Sequence, residues 1–211
     1  MNPDRHRPAA CHLTFFEPLY AARIARWVFT DQELTWLAPA TPAPLTTEKV
    51  LQWGKGRRWR YLFWAGGDDG PIGYAELNEM AANPAQMWIG HFILSPHSRG
   101  RGLALRFAQA LLARAFLECA AAEVVLVVFP DNARALRCYQ QAGMIALGTE
   151  RKYFESTGRE HQFLRMGMDR ARFLDLVAAG RLPDRPLALL PCRDDPAPPA
   201  RARGAAVTPA G

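Results

Sequence analysis

Apolar and polar positions alternate along this chain in short runs, and the period of each run assigns an element. Residues 13–16 predict a short first strand. Pro18 opens a helix to about Phe29, at a position where its missing N–H does no harm. Residues 31–44 hold three prolines and read as a loop. Thr46, Thr47 and Glu48 give a helix start that runs to Trp53, and Gly54 and Gly56 stop it. Residues 60–65 and 72–79 predict strands joined by Gly66-Gly67-Asp68-Asp69-Gly70, a hairpin signal. A turn over 81–85, around Asn83-Pro84, leads to a strand at 86–94.

The second half is more regular. Residues 102–119 form a long helix. Leu103, Phe107 and Leu111 lie on one line of it and Leu105, Leu112 and Phe116 on another, so a wide stripe packs against a sheet. The unbroken apolar run 124–129 marks a central strand covered on both faces. Residues 132–142 are a helix ended by Gly143 at a left-handed cap. Strands at 145–152 and 161–169 and a helix at 169–179 close the body. Strand, long helix, buried strand implies a right-handed parallel crossover, and the hairpin before it makes the sheet mixed.

With 211 residues, 49% of them hydrophobic and 22% charged, the chain has the size and content of one globular domain with a tail. The body spans 1–180. Residues 181–211 hold 7 of the 17 prolines and read as a flexible Pro/Ala/Arg-rich tail without regular structure. A net charge of +6 favours an anionic partner: nucleic acid, a lipid surface or a phosphate-bearing small molecule. Cys11, Cys119, Cys138 and Cys192 form no C-x-x-C pair, so thiols in a reducing compartment are expected, with no metal site. The N-terminal stretch lacks the pattern of a signal peptide, and no apolar run reaches the ~18 residues of a membrane span. The expected location is the cytoplasm, away from membranes.

One stretch concentrates chemistry. Ser95-Pro96-His97-Ser98-Arg99-Gly100-Arg101-Gly102-Leu103-Ala104 joins the end of a strand to the start of the long helix. The first N–H groups of a helix lack intrahelical partners, and the helix dipole adds positive character there. Gly100 and Gly102 open the backbone to a bulky diphosphate, while Arg99 and Arg101 add charge. No Gly-Lys-Ser/Thr follows, so this is not a P-loop, and the spacing misses the Gly-x-Gly-x-x-Gly of dinucleotide folds. The alternative is a tight turn with no ligand.

A second stretch, Asp131-Asn132-Ala133-Arg134-Ala135-Leu136-Arg137-Cys138-Tyr139-Gln140-Gln141-Ala142-Gly143-Met144, decides between them. Together the two resemble the GNAT superfamily of N-acetyltransferases. That family's coenzyme loop runs Gln or Arg, two residues, Gly, one residue, then Gly or Ala, matched by Arg99, Gly102 and Ala104. Its second signature is matched by Asn132, Ala135, Tyr139, Gly143 and Met144. The resemblance spans about 13–169 and implies an α/β (α+β) three-layer fold. In it a mixed, mostly antiparallel sheet is splayed between two central parallel strands and flanked by helices. It also implies acetyl-CoA as cosubstrate, with no metal, and direct attack by a primary amine in a ternary complex. The pantetheine arm would bond to backbone at Phe92, Ile93 and Leu94. The diphosphate would sit on the amides of Arg99, Gly100, Arg101, Gly102, Leu103 and Ala104, near Asn132 and Ala135.

The reaction needs a base for the amine, a donor to the oxyanion and an acid for the leaving thiolate. A backbone N–H around Ile93 suits the oxyanion. Tyr139 suits the acid, since a phenol can protonate a thiolate; the alternative is a core tyrosine that orients the sulfur. Glu76, on the face of Tyr74, and His91, on the face of Ile93, are the candidate bases. Burial would raise the Glu76 pKa and make it a better base. Asp31 and Glu33 are further candidates. Some family members carry an acid at the position of Trp88. Asn132 can cap its helix, bond pantetheine, or both, and Trp36 is placed to wall the acceptor pocket. The acceptor is a small-molecule or peptide amine, and homodimerisation stays open because the family often pairs. The competing functions are a non-catalytic CoA-binding or regulatory module and, lacking any reading motif, a nucleic-acid binder.

Overall fold

Seven strands lie in one sheet among the described residues, which are 11–55, 59–66 and 69–190 of the computed structural model. They are β1 (His12–Phe15), β2 (Trp59–Trp64), β3 (Gly73–Met80), β4 (Asn83–Leu94), β5 (Glu123–Val128), β6 (Ile145–Phe154) and β7 (Arg159–Asp169), in the order β1-β2-β3-β4-β5-β7-β6. Only β4 and β5 run parallel; every other neighbour is antiparallel. Six α-helices flank the sheet: α1 (Ala21–Ala25), α2 (Asp31–Leu37), α3 (Thr47–Gln52), α4 (Leu103–Ala113), α5 (Ala133–Gln141) and α6 (Arg170–Ala178). Gly56, Gly67, Asp68, Cys192 and tail residues 191–211 lie outside the described residues.

Strand alternation divides the core in two. Tyr61 and Phe63 of β2, with Ala75 and Leu77 of β3, pack on the side of Phe107 and Leu111 of α4. Leu62, Tyr74 and Ile93 point the other way, onto Ile24 of α1, Leu34 of α2, and Val50 and Trp53 at α3. A layer of three short helices thus covers one face, and the long α4 covers the other.

The loop expected over 31–44 begins instead as a helix. Thr30 caps α2 by accepting from the Glu33 amide at 3.1 Å, and the Glu33 carboxylate accepts from the Phe29 amide at 2.8 Å. Thr30-Asp31-Gln32-Glu33 carries this reciprocal cap in the sequence. The three prolines all fall beyond Leu37, so they end the helix without preventing it. α1 is shorter than expected: a 3₁₀ turn at Pro18–Tyr20 precedes it, and Arg26 and Trp27 already bond three residues back. β4 starts at Asn83, so the turn after β3 shrinks to Ala81 and Ala82. After Ala113 the long helix continues as one π-helical stretch, Arg114–Glu118.

Regular pairing also continues past residue 180, within the stretch expected to lack it. The Leu13 amide donates to the Ala188 carbonyl and the Leu190 amide to the Leu13 carbonyl, both at 2.9 Å. Buried Arg114 donates to the Leu187 carbonyl at 3.1 Å. Strand β1 offers an otherwise open edge, and Pro183 and Pro186 precede the paired residues, so no needed N–H is lost.

The parallel pair sets up the site. β4 and β5 match only at Gln86–Glu123, Met87–Val124 and Trp88–Val125. Beyond Trp88, β4 follows β3 as far as Leu94, while β5 follows β7 as far as Val128. The sheet is therefore split from Ile89 and Leu126 onward. The edge of β4 that faces the split carries amides and carbonyls with no strand beside them.

Candidate active site

At the split, β4 carries one residue more than β3. Tyr74 pairs with Ile93 and Glu76 with Gly90, so Ala75 alone opposes His91 and Phe92. This bulge puts His91 at φ 45°, a left-handed conformation that few non-glycine residues adopt. Its effect is to re-aim two neighbouring side chains. Phe92 stacks on Phe107 beneath α4, 4.9 Å between centroids, while the His91 ring stacks flat on Trp53 at 4.4 Å on the α3 side.

His91 meets a buried carboxylate. Glu76, 2% exposed, accepts from His91 Nδ1 at 2.8 Å and from the Tyr74 hydroxyl at 2.8 Å, both at Oε1. Its Oε2 accepts from Asn78 Nδ2 at 3.2 Å. Burial alone would raise the Glu76 pKa, as expected from its position. The hydrogen bonds and charge of His91, with the bonds from Tyr74 and Asn78, outweigh it, and the net direction is down. The net direction is opposite to the rise expected from burial, so Glu76 favours its ionised form. The Tyr74 hydroxyl is pushed the other way, by burial and by the Glu76 charge. Gly54, at φ +57°, ends the turn after α3 directly over this group; a Cβ there would lie 3.0 Å from Glu76 Oε1.

Tyr139 approaches from the opposite side of the sheet. It is 7% exposed, belongs to the core under α4, and touches Phe92 edge-on at 5.8 Å. Burial raises its pKa above the ordinary phenol value, so the hydroxyl stays protonated. Asn132 caps α5, its Oδ1 accepting from the Ala135 amide at 3.2 Å. The cap that orients Tyr139's helix is therefore made within the second motif itself.

The glycine-bearing turn has an open mouth. Gly100 and Gly102 both sit at φ +74°, and a Cβ on either would meet nothing within 4 Å. Glycine is required here by backbone conformation, and the space outside is free. Arg99 behaves differently from expectation. Its guanidinium is turned away from the helix start, onto Glu33 Oε1 at 2.7 Å, the Trp27 carbonyl at 2.6 Å and the Leu94 carbonyl at 3.2 Å. Three nearby acceptors hold it, so it clasps α2 and the segment after α1 to the end of β4. The same clasp pairs Glu33 with Arg99.

The structure thus brings Glu76 and His91 together as one pair and leaves Asp31 elsewhere, at a cavity beside α2. Trp36 does not wall that cavity. Its Nε1 donates to Asp131 Oδ1 at 3.0 Å, tying α2 to the segment after β5. Trp88 stands where the parallel pairing ends, opposite Asn78. Sequence reasoning missed Trp53 and Asn78. Asn78 shares the period-2 face of Tyr74 and Glu76, a legible signal; Trp53 reaches His91 only through the packing of α3.

The sequence matches the family model of the GNAT acetyltransferase domain over residues 12–145, more than half of the chain. Among solved structures it resembles spermidine N-acetyltransferase from Vibrio cholerae in complex with CoA and spermine. That match has 17% identity and a TM-score of 0.64, covering 78% of this chain and 98% of that one. It also resembles aminoglycoside acetyltransferase AAC(6')-Ib in complex with coenzyme A and kanamycin. Here identity is 21% and the TM-score 0.61, covering 79% and 98%. At these identities the likeness is one of fold.

Proposed function

The chain belongs to the GNAT acetyltransferase family, and from that premise we propose that it moves an acetyl group from acetyl-CoA to a primary amine by direct attack in a ternary complex. The observation that carries the proposal is the split between β4 and β5, flanked on one face by the Glu76–His91 pair and on the other by Tyr139. The residues present suit the coenzyme. The free edge of β4 at Phe92, Ile93 and Leu94 can pair with the amides of a pantetheine arm like an added strand. The amides from Gly100 to Ala104 suit its diphosphate, with Asn132 and Ala135 alongside, whereas the Arg99 amide already donates to the Pro96 carbonyl at 3.3 Å.

When bound, acetyl-CoA supplies the thioester that the amine attacks. Glu76 holds the Nδ1–H of His91, which leaves Nε2 as the proton acceptor for the incoming ammonium. A backbone N–H on the free edge of β4, next to Ile93, serves the oxyanion. Tyr139, still protonated, returns a proton to the departing thiolate. Acid and base act from opposite faces, so amine and thiol need not compete for one approach.

Thiol release from acetyl-CoA, followed over a panel of primary amines, tests this. Saturable, amine-dependent release is expected. Calorimetric binding of CoA with no amine-dependent release would overturn the proposal in favour of a non-catalytic coenzyme-binding module.

A further inference from the structure

A cavity of about 290 Å³ lies between α2 with the segment after it and the β6–β7 turn. Asp31, Thr35 and Thr41 line it from the first side, and Ser156, Thr157 and Arg159 from the second. The cavity thus spans the two halves of the split sheet, which are tied there by the Ser156 hydroxyl donating to the Pro39 carbonyl. Two residues connect it to the proposed base. Thr41 accepts from Trp53 Nε1 at 2.9 Å, and Trp53 stacks on His91. Leu34, which also lines the cavity, is 3% exposed in the same core cluster as Ile93 and Trp53.

The charges of this cavity are unspent. Neither Asp31 nor Arg159 forms an ion pair with any described residue, including each other. A carboxylate and a guanidinium on opposite sides of one polar cavity, both exposed and not ion-paired with each other, match an occupant that carries both signs. An all-cationic chain would gain at Asp31 and be repelled at Arg159. A guanidinium fork is well shaped for a carboxylate, and Asp31 with the threonine and serine hydroxyls suits peptide N–H and C=O groups.

Resting on the acetyltransferase reading, we propose that this cavity holds the non-reacting part of the acceptor, and that the acceptor is a dipolar amine: a short peptide or amino-acid derivative whose acidic group meets Arg159. This departs from the spermine and kanamycin of the similar structures, both of which are polycations.

The test compares alanylalanine, its C-terminal amide and spermidine, by calorimetry on the CoA-loaded protein and by thiol release from acetyl-CoA. The dipeptide acid is expected to bind most tightly and show the lowest KM. Its preference over the amide should fall by about tenfold in Arg159→Gln, the loss of one charge-assisted contact. Arg159→Lys should restore part of it. Tighter binding of spermidine than of the acid, or an acid-over-amide preference untouched by Arg159→Gln, would overturn the assignment. If the acid binds with this Arg159 dependence but no amine triggers thiol release, the catalytic reading fails and the cavity assignment stands.

Discussion

Replacing Glu76 by Gln is the most informative single change at the proposed base. The substitution keeps the shape and one acceptor oxygen, so the bonds from His91 Nδ1 and the Tyr74 hydroxyl, both 2.8 Å, can persist. What disappears is the negative charge beside an imidazole that must become an imidazolium during turnover. Two unit charges ~4 Å apart at an effective dielectric near 20 interact by about 4 kcal/mol. At about 1.4 kcal/mol per decade that is a ceiling near a thousandfold on kcat. The Arg60 guanidinium, which donates to the Trp53 carbonyl at 3.0 Å, lies near enough to offset part of the field. We therefore expect a fall in kcat between about tenfold and a thousandfold. CoA affinity should hold, because Glu76 lies on the face away from α4. Stability at neutral pH should fall, because the hydrogen bonds and charge of His91 outweigh the desolvation of Glu76, but the fold should persist. The assay is thiol release under saturating acetyl-CoA, with calorimetric CoA binding and a urea melt on the same preparation. A variant that keeps kcat within about twofold while remaining folded would refute the ionised Glu76 as the anchor of the base.

Tyr139→Phe keeps the edge-on contact with Phe92 and removes only the hydroxyl, so kcat should fall by at least about tenfold with CoA affinity preserved; unchanged thiol release would assign Tyr139 to packing alone. Arg99→Ala removes three bonds that join α2 and the segment after α1 to the end of β4, and stability measured by urea unfolding should drop by about 1–3 kcal/mol. If instead CoA affinity collapses while stability is unchanged, the guanidinium is a phosphate ligand after all. Glu76 has a folded-state pKa below its unfolded value, so the unfolded chain binds the extra proton. The stability this contributes is present above the ordinary glutamate value of about 4.3 and is lost as pH falls through the lower folded value. Urea unfolding at stepped pH should show that acid-side loss, and Glu76→Gln should lack this share of it.

The sequence alone determined the elements whose signals are local. Period-2 runs and glycine turns marked the strands, and Thr46 with Glu48 marked α3. The glycine-bearing turn was legible for the same reason, since a strand end, two glycines and a helix start are adjacent in the chain. Even the missed helix α2 had its signal in Thr30 and Glu33, hidden by weight given to prolines that lie beyond its end. Glu76 and His91 were candidates by residue type and by the face of their strands, and Tyr139 by its place in the second signature.

Tertiary structure alone decided how those residues combine. Glu76 and His91 sit 15 positions apart, and their union as one pair depends on a bulge that inserts a single residue into β4. Arg99 lies within the glycine-bearing turn, yet its partners Trp27 and Glu33 come from another layer 72 and 66 residues away, and only packing brings them to its charge. The cavity between Asp31 and Arg159 exists only because the split sheet brings α2 over the β6–β7 turn. Local patterns report what a backbone segment can bury and hydrogen-bond by itself; the side-chain partner of a charge is fixed by packing between segments, and no periodicity along one of them carries that information.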